Sequence, residues 1–510
     1  MQSASRPDRT LALHGVAASR EIEQQAQALL PAHALMRRAG AAVARLALAV
    51  APHAGRVWIA AGPGNNGGDG LDAAIALRSA GREVRVTLVG DAAALPPDAA
   101  DALQRARSAG VEIGAAGAPA LRANDLAIDA LLGIGANRAP HGRIAQAIAE
   151  LNALPCPVLA VDLPSGLDAQ TGQALGDTCV TAAHTLALLT LKPGLFTGRG
   201  RDAAGEVWFD AIGVDSAATT PEAWLTGADA ARAVHRPRLH AQHKGSFGDL
   251  AVVGGAPGMT GAALLAARAA HAAGAGRVYV DLLADDGSAT PALDAARPEL
   301  MFRRGWSSGA RDAIAGATVV CGCGGGDAVR AALPRVLSLA PRLVLDADAL
   351  NATASDEALQ AQLAARAARG HATVITPHPL EAARLLGCTA REVQADRLRA
   401  ARALAERFGC CVLLKGSGSV VAAPGRVPNI NPTGNAALAT AGTGDVLAGW
   451  IGGLWAEDGR GESGFEIAAA AAHEHGAAAD RNGPSPLRAA DLVEAMAAAV
   501  AAAARRVTIS

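Results

Sequence analysis

The chain predicts two α/β domains, each built on a doubly wound, mostly parallel sheet. Three observations lead there. Short apolar runs alternate with alanine-rich helical stretches along nearly the whole sequence. Those runs end in Gly or Pro and open into polar loops, as strands do when chemistry gathers at their carboxyl ends. At 510 residues the chain is long for one core and comfortable for two.

In order, residues 15–50 read as one or two helices, followed by a strand at RVWIA (56–60), the loop AGPGNNGGDG and the helix LDAAIALRSAG. REVRVTLVG (82–90), LAIDALLGIG (126–135), PVLAVDLPSG (157–166) and HTLALLTLKPG (184–194) continue the sheet. Between 215 and 240 turn formers and prolines accumulate without a clear sheet segment, which marks a junction. The boundary is placed at 220, giving domains 1–220 and 221–510. A second series then runs through GDLAVVGGAPG (248–258), RVYVDLL, ATVVCGCGGG, RLVLDADALN, TVITPHPLE and CVLLKGSGSVV, and closes in alanine-rich helices.

Composition excludes several classes. Hydrophobic residues make up 51% and charged residues 18%, a globular balance. A net charge of -1 provides no basic field for nucleic acid. The longest apolar runs are broken by Gly, Asp or Arg, so no membrane span is expected. The N-terminus lacks an adequate signal-peptide core, so a cytoplasmic location is expected. The seven cysteines form no CxxC pair and are expected as buried free thiols. No second ligand pair follows Cys321 and Cys323, which argues against a metal there.

Of the 46 Lys plus Arg residues only three are lysines, Lys192, Lys244 and Lys415. Each sits beside Gly or Pro, where a compact ammonium fits next to a phosphate or hydroxyl better than a planar fork.

TAGTGDVLAG (440–449) sets donors beside a carboxylate. Backbone N–H groups of Ala441 to Gly444 at a helix start suit phosphoryl oxygens. Asp445 then serves the attacking hydroxyl as a base. In the first domain, GPGNNGGDG (62–70) contains GxGxxG, a weak dinucleotide signal on its own. Asn65, Asn66 and Asp69 crowd that turn and suit a monovalent cation or a ribose amide network better than a bare phosphate. Asp129, Asp162, Ser165 and Lys192 end neighbouring strands and are expected at one sheet edge.

NPTGNAALATAGTGDVLAG resembles the anion-hole segment of the ribokinase-like superfamily. With HKGSFG, GGAPGMTGA, DADALN, TPHPLE and KGSGS, residues 240–500 resemble the ADP- or ATP-dependent NAD(P)H-hydrate dehydratases. The resemblance implies that Lys415, Gly416, Ser417, Gly418, Ser419 and Gly444 border the nucleotide. It implies that Ala262, Gly324, His378 and Asp445 face the hydrated nicotinamide. CGCGGG (321–326) departs from the GPGLG-like run the family often shows.

NNGGDG paired with VDLPSGLDA makes residues 10–215 resemble the NAD(P)H-hydrate epimerases, on a Rossmann-like sheet. By that resemblance Asn66, Asp129 and Ser165 hold potassium. Asn65, Asn66, Gly67, Gly68 and Asp69, with Gly133, Ile134, Gly135, Ala136, Asn137, Arg138 and Ala139, border the substrate. Asp162 is the acid/base candidate, with Lys192 nearby as a catalytic partner that lowers its pKa or donates a proton. The two resemblances together imply a bifunctional repair of hydrated NADH and NADPH: the R and S hydrates are interconverted, and the S form is dehydrated through phosphorylation by ADP or ATP. Magnesium and a homo-oligomer are expected. The alternative is a ribokinase-like small-molecule kinase with an appended non-catalytic ligand-binding module.

Overall fold

Alternation of side chains along each strand decides the layering of the first unit. The computed structural model describes residues 1–283, 293–457 and 463–507. They form two units, one of Met1–Pro7 with Ala12–Trp224, the other of Asp8–Leu11 with Leu225–Ser510. In the first, Val57, Ile59 and Ala61 join one core with the helices Val16–Leu29, Ala34–Val50, Asn65–Ser79 and Pro97–Ser108. Trp58 and Ala60 turn to a second core against the helix Gly142–Asn152. Period-two apolar patterning on both faces is what a covered parallel sheet requires.

The strand order in this unit is Gln2–Ser3, Glu206–Asp210, His184–Leu188, Val158–Val161, Leu126–Ala130, Arg56–Ala61, Glu83–Leu88 and Glu112–Gly114. All neighbours are parallel except the first pair. From Arg56–Ala61 the chain winds outward one way to Glu112–Gly114, then returns to Leu126–Ala130 and winds the other way. The loops after Arg56–Ala61 and Leu126–Ala130 therefore diverge and leave a crevice.

The expected loop 61–70 is shorter than its glycines suggest. A helix, Asn65–Ser79, begins within NNGGDG after an extended Gly64. Its glycines serve close packing. A Cβ at Gly67 would lie 2.1 Å from the Gly62 carbonyl, and one at Gly62 would lie 1.8 Å from that of Leu131.

The second unit's sheet runs Met301–Phe302, Arg277–Leu282, Asp249–Gly254, Ala317–Cys321, Arg342–Leu345, Ala372–Ile375, Cys411–Leu414, Val420–Ala422, Asn429–Ile430. It is parallel as far as Cys411–Leu414 and antiparallel beyond. The order of winding reverses between Asp249–Gly254 and Ala317–Cys321, which remain parallel. The helix Thr443–Glu457 packs backbone to backbone on the helix Thr260–Ala272. Cβ atoms at Gly449 and Gly453 would lie 2.0 and 2.3 Å from the Ala266 and Ala270 carbonyls. Two glycines one turn apart thus fix where the TAGTGD helix begins.

The stretch 215–240, expected to be free of sheet, holds a short strand, Ala223–Leu225, and a helix, Ala228–Val234. The reason is a distant partner: Asp229 accepts from the Thr10 N–H at 3.0 Å and the Thr10 hydroxyl at 2.9 Å. Among the described residues no helix is long and apolar enough to cross a membrane.

Candidate active sites

In the first unit the crevice at the strand reversal is a cleft of about 650 Å³. Asn65, Asn66 and Asp69 line one side, and Gly133, Ile134, Gly135, Ala136, Asn137, Arg138 and Ala139 the other. Asp162 and Lys192 also line it. Gly67 and Gly68 do not; they are buried in helix packing, with Gly68 against Met36.

Asp162 follows the strand Val158–Val161 in the left-handed region, φ 68°. That strained backbone turns its carboxylate toward Lys192, with which it pairs directly. The Leu188 N–H donates to the same carboxylate at 3.3 Å, and the ammonium donates to the Leu188 carbonyl at 2.8 Å. Lys192 is only 2% exposed. Asp69, half-buried, has its carboxyl pushed well above the usual range by burial first and by Asp162 second. The cleft thus holds an ionic pair beside an acid that tends to keep its proton, which is an arrangement for moving protons. His14 was not anticipated. It is buried, neither ring nitrogen has a protein partner, and burial and then Lys192 depress its pKa.

Asp129 is fully buried under these loops. It accepts from the Ser165 hydroxyl at 2.6 Å, the Ser165 N–H at 2.7 Å and the Leu131 N–H at 3.2 Å. Burial still raises its carboxyl to about 6, and no cationic side chain is among the groups acting on it. The Asn66 amide nitrogen is buried without a partner. A buried carboxylate lacking a counter-charge, with hydroxyl and amide oxygens supplied by Ser165 and Asn66, is a donor set that fits a hard monovalent cation.

In the second unit the strand ends converge on another Lys–Asp pair. Lys415 donates to Asp346 Oδ1 at 2.6 Å, and the Thr376 hydroxyl donates to the same oxygen at 2.8 Å. Burial works against the Lys415 charge, but Asp346 and then Glu381 outweigh it and hold the ammonium above its ordinary range. A Cβ at Gly444 would lie 3.4 Å from the Lys415 ammonium, so the TAGTGD turn faces that charge. Asp445 is the third residue of its helix, within the first turn. It accepts a hydrogen bond from the Cys323 thiol, and burial and then Asp346 raise it to about 6.

Gly324, φ 58°, lies against Ala262, where an added Cβ would come within 2.8 Å of the alanine methyl. His378 caps the helix Pro379–Leu386, accepting at Nδ1 from Leu380 and Glu381, and stays partly exposed. Glu381, buried, is pushed up to about 7 by burial. The loop Lys415 to Ser419 is braced by the buried Arg397, which donates to the carbonyls of Leu414 and Lys415 at 3.2 Å. His475, buried, is depressed to about 4 by burial and lies 2.9 Å from the Thr443 carbonyl through Nε2. Asp346 and Glu381 stood in quoted motifs without roles; Arg397 and His475 carried no local signal. Six of the seven cysteines are buried, while Cys388 is partly exposed.

A family model described as NAD(P)H-hydrate dehydratase matches residues 250–497, and one described as YjeF-related protein N-terminus matches 32–194. The chain is 39% identical over 456 residues to the bifunctional NAD(P)H-hydrate repair enzyme Nnr of Escherichia coli K12, covering 88% of this chain and 85% of that protein. It is 38% identical over 453 residues to the bifunctional NAD(P)H-hydrate repair enzyme of Leishmania major, covering 83% and 80%. The chain belongs to the bifunctional NAD(P)H-hydrate repair enzymes. Among solved structures, the ADP/ATP-dependent NAD(P)H-hydrate dehydratase of Bacillus subtilis, co-crystallised with ATP/Mg2+, is 30% identical. That match covers 52% of this chain and 93% of that one, with a TM-score of 0.43.

In this family member the Lys192–Asp162 pair is also structural. Asp162→Ala strands a buried ammonium and is expected to lower unfolding free energy by about 3–5 kcal/mol in denaturant titrations. Adding Lys192→Met should recover most of that loss.

Proposed function

We propose that the chain restores NADH and NADPH from their hydrated forms by two reactions, one per unit. Residues 1–220 interconvert the R and S hydrates, and residues 221–510 dehydrate the S hydrate with ADP or ATP. The observation that carries this is the pairing of Asp445 with a cationic helix start: a base and an anion clamp side by side.

In the dehydratase unit, Asp445 accepts the proton of the ring hydroxyl as its oxygen attacks the terminal phosphorus. The bond from that phosphorus to the bridging oxygen breaks, leaving AMP from ADP, or ADP from ATP. The N–H groups of Ala441 to Gly444 and the Lys415 ammonium stabilise the transferring oxygens. Phosphate then departs with the ring C–O electron pair, and loss of the neighbouring proton restores the double bond. Lys415 to Ser419 hold the nucleotide, while Ala262, Gly324 and His378 border the ring. A magnesium ion bound with the nucleotide would supply positive charge against its phosphates.

In the epimerase unit, Asp162 is the acid/base and Lys192, paired with it, holds its carboxylate in place. Asn66, Asp129 and Ser165 would hold potassium, which would supply the positive charge that Asp129 lacks among side chains.

Three outcomes test this reading. With both hydrate epimers supplied, recovery of reduced-nicotinamide absorbance is expected to be complete and to require ADP or ATP. Asp162→Asn should stop recovery at the S fraction, with epimerisation slowed at least ~10²-fold; recovery of both epimers would sink the epimerase assignment. A stable phosphorylated product in place of NADH would instead identify a kinase.

Because Asp445 must be ionised, kcat/KM for dehydration should fall as pH drops through about 6. Asp445→Asn should lower kcat by about 10²–10⁴-fold; a flat profile from pH 5 to 8 contradicts its role.

Asp129, raised to about 6, favours its protonated form in the fold, so its contribution to stability is full at low pH and is lost as pH rises through about 6. Potassium should therefore raise Tm more at pH 7.5 than at pH 5, and Asp129→Asn should abolish the increment. Equal increments at both pH values argue against the ion site.

A further inference from the structure

The mechanism above uses Asp445 and leaves its partner, Cys323, without a task. Cys323 lies in CGCGGG, just past the carboxyl end of the strand Ala317–Cys321. Three separate elements meet there. Cys323 follows the strand Ala317–Cys321, Asp346 follows Arg342–Leu345, and Asp445 stands in the first turn of Thr443–Glu457. The Cys323 sulfur and one oxygen from each carboxylate all lie within 4.8 Å of one another.

We propose that Cys323, Asp346 and Asp445 bind one thiophilic divalent cation, of the zinc or cadmium class, at the dehydratase site. The donor geometry supports this independently of the reaction. Lys415 and Thr376 occupy Asp346 Oδ1. Oδ2 is turned toward the start of the Asp445 helix, 3.9 Å from where a Cβ at Gly444 would stand. Zinc bonds of about 2.0–2.3 Å to oxygen and sulfur put tetrahedral donors about 3.5 Å apart, a contraction of roughly 1 Å from the present limit. Three protein donors leave a fourth position for water, and Asp445 is partly exposed on the side where water reaches it.

Charge fits as well. A thiolate and two carboxylates beside one ammonium leave two negative charges, which one dication neutralises. The thiolate selects soft ions over magnesium, so the nucleotide's own metal does not compete for this position. On binding, the thiol proton passes to solvent, a metal–sulfur bond forms, and no electrons change hands. With Asp445 ligated, no base remains for the ring hydroxyl. That inhibitory consequence rests on the proposed function; the ion site does not.

The test titrates the full reduced chain with cadmium chloride alone and follows the thiolate-to-cadmium charge-transfer band in the ultraviolet. One cadmium per chain is expected. Cys323→Ser should lose the band. Asp445→Asn should keep it at saturation but bind at least about tenfold more weakly. A band that survives Cys323→Ser comes from another thiol, such as the partly exposed Cys388, and overturns the proposal. An Asp445→Asn titration that superimposes on the unmodified chain overturns it too, and does so even if Cys323→Ser fails to fold. Neither readout needs catalysis, so a failure here is distinct from a failure of the functional reading.

Discussion

A lysine paired with a buried aspartate at the carboxyl end of a parallel strand organises each unit. Lys192 pairs with Asp162 in one, and Lys415 with Asp346 in the other. Two of the chain's three lysines are spent this way. Desolvating an ammonium is unfavourable enough that its partner must be in place, so each pair ties a loop to the sheet. The groups around it then inherit their protonation. Asp69 and Asp445 are crowded by a neighbouring carboxylate as well as by burial and so hold protons more tightly. Proton transfer near neutral pH follows from that crowding.

Glycine supplies the complementary constraint. Gly62 and Gly67 bring the start of one helix onto the adjacent loop, and Gly449 and Gly453 seat another helix directly on its neighbour. In both units a helix N-terminus is thereby fixed at a strand reversal. Neither site depends on a long loop finding its place.

Much of this was legible in the sequence, because strands ending in Gly or Pro and followed by polar residues announce themselves one after another. The Asp162–Lys192 neighbourhood came from such strand ends, while the cleft residues 133–139 came from the resemblance to the epimerases. The start of the helix at Asn65 was hidden, since NNGGDG has loop composition and only its packing against Gly62 makes it helical. Partners far apart in sequence were hidden too. Asp346 and Lys415 are 69 residues apart, and Thr10 and Asp229 are 219 apart. For the same reason a search for a second cysteine pair could not find Cys323's neighbours: they are aspartates delivered by other loops.

The central claim is that one chain carries two separable reactions, each dependent on one carboxylate. Mixing Asp162→Asn and Asp445→Asn proteins and supplying both hydrate epimers with nucleotide tests it most directly. The account predicts complete recovery of NADH from the mixture, with each variant alone falling short. Recovery that halts at the S fraction in the mixture would contradict it.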